Sequence, residues 1–283
     1  MGIFSGLESF GLSKLKNVDI YEKAAEDKKK EETEKKEKPK VREVDILFDK
    51  TYTCPVCDNE FKAKTVRTGK VKLMSADTDL RPRYQLVDAL KYDAIVCPKC
   101  GYAALNRFFT YMTSGQSRLI REQISTQFNG ISDSGEIYSY DDAIARHKLA
   151  LINTIVKRGK TSERAYTCLK LAWLYRGKAE NLPQNTKDLE VVLAQLKKEE
   201  DELIKNAYEG FSTSFSKEQF PMCGMDEHTA TYLVADLARR SGNPEDAKRL
   251  ISRIITSRQA NDRIKAKARE LKDLIREMEE DQA

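Results

Sequence analysis

Four cysteines are spaced as metal ligands. Cys54-Pro55-Val56-Cys57 and Cys97-Pro98-Lys99-Cys100-Gly101 each place two residues between a pair of thiols. At that spacing one tight turn aims both sulfurs at the same ion. Proline after the first cysteine pre-sets the backbone, and Gly101 tolerates the positive φ that such turns often need. Two knuckles together make a tetrahedral four-thiolate site, with bonds of about 2.3 Å when the ion is zinc. Zinc is the expected ion, because paired CPxC knuckles flanked by strand-like segments match zinc ribbons. A rubredoxin-type iron site uses similar knuckles and is the rival. A redox dithiol would need only one CxxC, and two copies framing one small region speak for metal. Four protein ligands leave no open position for water or substrate, so the expected role of the ion is to hold the fold.

The remaining candidates carry less chemistry. Cys168 falls on an apolar helical face beside Trp173 and reads as a small buried hydrophobe. Cys223 and His228, in the stretch PMCGMDEH, have a spacing that could suit a second metal. No two further ligands lie near them in sequence, so a loop followed by a helix start is expected. His147 lies in a helical pattern and is expected to be structural or solvated. With 2 histidines in the chain, His-based acid–base chemistry has little support. No phosphate loop, nucleophile elbow or dinucleotide fingerprint occurs.

The elements that must position the cysteines change character along the chain. Residues 1–22 carry Ile3, Phe4, Leu7, Phe10, Leu12 and Leu15 and suit a short amphipathic helix. Residues 23–44 are almost wholly charged and read as a solvated linker. Residues 45–112 form the expected zinc-ribbon-like domain, with strands over 61–66, 70–74 and 93–96 and a turn at Gly69. The 39 residues between Cys57 and Cys97 exceed the usual ribbon spacing, which predicts an elaborated hairpin region.

Residues 113–283 form the expected helical domain. Ile144, Leu151 and Ile155 share a face of a helix opening near Asp141, and a turn at Gly159 leads to Ala165, Cys168, Leu169, Ala172 and Trp173. Apolar residues from Leu189 to Tyr208 repeat every three and four positions. A helix through Ala230, Leu233, Val234 and Leu237 stops at Gly242. Asn243-Pro244-Glu245 then reads as an N-cap, a first-turn proline and an acidic residue opening the next helix. The last helix spans about 261–280, with Ile264, Ala268, Leu271, Ile275 and Met278 inward. Ala235, Gly242 and Ala247 give one tetratricopeptide-like unit, small residues that let two antiparallel helices approach closely. The fold class is therefore α+β, mainly α: a small four-cysteine ribbon followed by helical hairpins.

Composition limits the function classes. Of 283 residues, 50 are basic and 45 acidic, a net charge of +5, so no bulk field favours nucleic acid or an anionic membrane. The ribbon region is locally basic, with ten Lys or Arg against six Asp or Glu between Asp58 and Arg107. Phe61, Tyr84, Tyr92 and Tyr102 are interspersed, a surface that could track phosphates and stack bases. No run of about 18 apolar residues would span a bilayer. The N-terminal sequence lacks a basic region followed by an apolar one, and Gly6 stands where a myristoylation signal needs Ser or Thr. A cytosolic location is expected, where six cysteines stay thiols or bind metal.

The run Asp77-Thr78-Asp79, then Tyr84, then Tyr92-Asp93-Ala94-Ile95-Val96-Cys97-Pro98-Lys99-Cys100-Gly101-Tyr102-Ala103-Ala104 resembles the bacterial domain-of-unknown-function family numbered 2225. That family pairs a CPxC knuckle followed by an aromatic, here Cys57 and then Phe61, with a later CPxCGYA knuckle and a tetratricopeptide-like helical tail. The resemblance covers about 44–242. It implies zinc binding and a bacterial cytosolic location. It implies no activity, and it carries no role onto Asp77, Asp79 or Tyr84. The charged segment departs from the family's compact pattern and reads as a lineage-specific linker.

The expected function is a non-enzymatic module that binds a protein partner through its paired helices. A nucleic-acid reading would rest on Lys62, Lys64, Arg81 and Arg83. An enzyme reading would need Asp77, Asp79, Cys223 and His228 to converge on one pocket.

Overall fold

The two knuckles sit at the tips of two antiparallel hairpins. Strand β1 (Leu47–Thr53) pairs with β2 (Glu60–Val66), in register from Leu47 opposite Val66 to Thr53 opposite Glu60. Between these strands run Cys54 to Asn59. The second such hairpin pairs β5 (Ala94–Val96) with β6 (Ala103–Leu105), and the turn between them runs from Cys97 to Tyr102. A third hairpin, β3 (Leu73–Ala76) with β4 (Pro82–Tyr84), separates them. The insertion between the cysteine pairs is thus a hairpin flanked by 3₁₀ turns. The protein is described by a computed structural model covering residues 41–131 and 135–280. The amphipathic reading of 1–22 and most of the charged linker lie outside the described residues.

One strand boundary expected from the sequence shifts here. The strand expected over 70–74 begins only at Leu73, because Thr68–Lys70 forms a 3₁₀ turn. That turn, which contains Gly69, does not close a hairpin, since β2 pairs with β1 and β3 with β4. Strands β1, β4 and β6 carried no clear signal in the sequence.

Among the described residues, seven α-helices follow. Helix α1 (Ser114–Ile120) opens with a Thr113–Gln116 capping box and runs on into a π-helical turn at Arg121–Ser125. Helix α2 (Tyr140–Val156) opens with a second capping box, in which Ser139 caps the amide of Asp142 and Asp142 caps that of Ser139. Then come α3 (Thr161–Glu180), α4 (Leu189–Phe215), α5 (Glu227–Arg240), α6 (Pro244–Thr256) and α7 (Asp262–Glu280). The fold class is α+β and mainly α, as the periodicity predicts.

The turn from α5 to α6 follows from its residues. Gly242 takes φ +76°, the amide of Asn243 bonds to Ala238 O at 2.8 Å, and that of Gly242 bonds to Arg239 O at 3.1 Å. This is a complete Schellman stop, and a residue with a Cβ would be strained at its centre. Pro244 then opens α6. Asn243 sits at the N-cap, but its side chain bonds Ser241 O and not a helix amide. Ala235 and Ala247 are fully buried, so small residues do let these helices close together.

From Arg42 onward the chain forms one compact unit. Its main core is helical, built on residues such as Leu169, Leu174, Phe211, Leu237 and Ile254. A second core lies beneath the cysteines. Tyr52, Phe61, Tyr102 and Phe109 pack there with centroid separations of 5.0–6.1 Å, joined by Ile120 of α1. Met278, expected inward, and Ile155 are exposed. Met278 is 40% exposed and touches Arg239 with its sulfur, and Ile155 is 48% exposed at the end of α2.

Candidate metal centre

The two knuckles repeat one backbone design. In the first, the amide of Cys54 bonds to Asn59 O and that of Asp58 bonds back to Cys54 O, at 3.0 and 2.9 Å. In the second, the amide of Cys97 bonds to Tyr102 O and that of Gly101 to Cys97 O, at 2.8 and 3.1 Å. The residue four after each leading cysteine has positive φ: Asp58 at 57° and Gly101 at 72°. Aspartate enters this region more readily than most residues, and glycine without cost. Gly101 is required for a second reason. A Cβ there would lie 2.5 Å from the ring of Phe128.

This design brings four sulfurs to one point. The Sγ atoms of Cys54, Cys57, Cys97 and Cys100 all lie within 4.8 Å of one another, so the group could hold a metal ion. Cys54 and Cys100 are 3.6 Å apart, and Cys57 and Cys97 are 3.7 Å apart. A disulfide would need about 2.05 Å. An edge of a tetrahedron with bonds of about 2.3 Å measures about 3.8 Å, close to these two separations. Cys54, Cys97 and Cys100 are buried, and Cys57 is partly so.

The thiols shift one another's protonation. Hydrogen bonds from Cys100 and then Cys54 hold the Cys97 thiol well below its usual range, against burial. Cys100, which bonds to both Cys54 and Cys97, is held far above the usual thiol range. The Cys54 thiol is lowered by its bond with Cys100, but its bond with Cys97 and burial outweigh this and push it up to about 12. A full set of thiolates in so small a volume needs a positive ion among them. Backbone amides assist. Cys54 accepts from the amides of Val56 and Cys57, and Cys97 from those of Lys99 and Cys100.

Residues outside the motifs hold the knuckles in place. Arg121 donates from Nε to Val56 O at 2.9 Å, and Asn153 of α2 donates from Nδ2 to Gly101 O at 3.1 Å. Sequence reasoning missed both, because they lie 65 and 52 positions from the groups they support and no local pattern marks them.

Asp77, Asp79 and Tyr84 belong to a different arrangement. Asp79 is fully buried, accepting from Trp173 Nε1 at 3.0 Å and from Arg176 Nη2 at 2.6 Å. Arg176 also reaches Asp77 at 3.0 Å and Glu200 at 2.7 Å. Thr78 donates to the buried Asp236 at 2.9 Å, and Arg240 lies on the same carboxylate at 2.7 Å. The β3–β4 turn is thereby fastened to α3, α4 and α5 through charge. Burial would raise the Asp79 carboxyl, but the Arg176 guanidinium and then Arg240 hold it below its usual range. Tyr84 lines a cavity of about 300 Å³ beside Arg81, Arg83 and Glu180.

The residues named for nucleic acid are largely occupied. Arg81 is 3% exposed and pairs with Asp88 and Glu180, while Arg83 pairs with Asp77 and Glu180. Phe61, Tyr92 and Tyr102 are buried. Lys64 lies over the ring of Tyr138, and Lys62 is exposed.

The residues named for catalysis do not converge. Cys223 lines a cavity of about 830 Å³ that Asp77, Asp79 and His228 do not line. Its thiol donates to Ser162 O at 3.3 Å, and burial pushes it up to about 11. His228 bonds through Nε2 to Ser257 Oγ at 2.9 Å. Cys168 is buried and raised to about 11 by that burial, as its apolar face predicts. His147 is fully buried, with Nδ1 2.8 Å from Ala143 O.

The fold and site together define a mainly helical α+β protein with a four-cysteine cluster able to hold a metal ion. The model of the family described as uncharacterized protein conserved in bacteria (DUF2225) matches residues 47–275, and the chain belongs to that family. Comparison with curated proteins and with solved structures found no match. Among the described residues, no helix is long and apolar enough to cross a membrane.

Proposed function

We propose that Cys54, Cys57, Cys97 and Cys100 hold one structural zinc ion, and that the protein is a non-enzymatic, cytoplasmic protein–protein interaction module. The pair of sulfur separations, 3.6 and 3.7 Å, carries the first half of this reading. They match a tetrahedral four-thiolate ion and leave no vertex for substrate. Zinc is favoured over iron because two hairpin-borne knuckles are the usual zinc-ribbon arrangement, although iron accepts the same ligands. When bound, the ion joins two two-stranded hairpins, each of which would be marginal alone.

The interaction half rests on the helices. The α5–α6 pair supports a tetratricopeptide-like reading of the region after residue 112, and stacked helical hairpins present extended faces to partners. The carboxylates and thiol named for catalysis are already engaged with arginines or a backbone carbonyl, which favours a binding role. The test is affinity purification from the native bacterium, with and without nuclease. Specific proteins that survive nuclease are the expected result. Recovery of nucleic acid alone, or loss of all partners on nuclease treatment, would replace this reading with a nucleic-acid one.

A further inference from the structure

A groove of about 610 Å³ lies between the end of α2, the start of α3 and the middle of α4. Its floor is apolar: Leu151 and Ile155 from α2, Ala165 and Cys168 from α3, and Leu203 from α4. Ile155, which shares a helix face with Ile144 and Leu151, is 48% exposed here. The floor is closely fixed. A Cβ on Gly210 of α4 would come within 2.8 Å of the Ala165 Cβ, so glycine lets the two helices meet.

The rim has the opposite character to the chain as a whole. Glu199, Glu202 and Glu209 line the groove from α4, against Arg164 as its one lining cation. Arg164 already donates to Gly159 O at 3.2 Å. Glu202 and Glu209 are exposed and enter no ion pair among the described residues. A chain of net charge +5 thus carries a locally acidic groove. The lining positions of α4 run from Glu199 to Thr213 at three- and four-residue steps, a wall about 21 Å long. A row of carboxylates beside an apolar floor repels phosphate. It complements a helix with Leu or Ile on one face and Lys or Arg along its flank.

We infer that this groove docks a basic amphipathic helix of about four turns from a partner protein. The inference rests on the interaction-module reading and adds the chemistry of the partner.

The test pans a random 16-residue peptide library against the full-length protein and measures affinities of the enriched peptides. Enrichment of Lys or Arg spaced three, four or seven apart, alternating with Leu or Ile, is expected. The Glu202→Lys/Glu209→Lys variant should weaken those peptides at least tenfold, as should Ile155→Glu. Glu202 and Glu209 are exposed, so these variants should keep the wild-type helical circular dichroism. Binding should also weaken as salt rises. Enriched peptides that bind both variants as tightly as wild type would overturn the groove assignment while leaving the module reading intact. Enrichment of acidic peptides would overturn it too. Sedimentation that shows a dimer dissolved by the charge reversal would assign the groove to a second copy and overturn the partner helix. Failure to enrich any peptide, together with failure of the affinity purification, would remove both readings.

Discussion

Gly101 meets two constraints at one atom. Its φ of 72° suits glycine, and the Phe128 ring fills the space where a side chain would begin. Gly101→Ala should therefore cost about 1–3 kcal/mol in denaturant unfolding. Gly69→Ala, where no atom lies within 4 Å of the added carbon, should change stability by less than about 0.5 kcal/mol. Equal effects at both sites would contradict the packing argument. His147 gives a prediction with a sign. Burial, opposed by the nearby Asp93 carboxylate, lowers its pKa from 6.5 to about 4. Below pH 6.5 the unfolded chain takes up a proton that the folded chain refuses. Stability is therefore lost as pH falls from 6.5 towards 4, by up to about 3 kcal/mol from this group. His147→Leu should flatten that part of the stability curve, measured by urea unfolding across pH. An unchanged slope would refute it. The knuckles were legible in the sequence because their design is local: each is complete within six residues. The role of Asp79 was not, because its partners Trp173 and Arg176 lie 94 and 97 positions away.

The elements were legible where periodicity is long and hidden where it is short. Helices α2 to α7 each repeat their apolar residues over several turns, so their existence follows from pattern. Strands β4 and β6 are three residues each, too short for alternation to emerge. Pairing fixes them, and pairing is a property of two segments. The β3–β4 hairpin is the clearest case. Leu80 in its turn packs against the helical core, but its β3 residues are all exposed, so an apolar strand face does not hold it in place. Charge does: Asp77, Asp79 and Glu200 converge on Arg176. Removing Arg176 leaves these carboxylates, two of them buried, without their shared cation. Arg176→Met should cost about 3–5 kcal/mol in equilibrium unfolding. A loss below about 1 kcal/mol would mean that the hairpin is held by something else.

At the scale of the whole molecule, the metal centre and the helices meet along α2, where Ala94, Val96 and Ala103 of the β5–β6 hairpin pack with Ala150. Ile120 of α1 enters the aromatic core below the cysteines, and Asn153 of α2 holds the second knuckle. These joints say how far the loss of an ion should reach. Helices α5 to α7 pack in the other core and should outlast it, whereas the two knuckle hairpins and α1 depend on the ion. The most direct measurement is native mass spectrometry of the full-length protein, followed by hydrogen exchange before and after chelation. The account predicts one zinc ion per chain, lost in Cys54→Ser or Cys100→Ser. It also predicts that amide protection collapses over residues 45–120 on chelation and persists in α5 to α7. A metal-free chain with four titratable thiols and unchanged protection at the knuckles would contradict it.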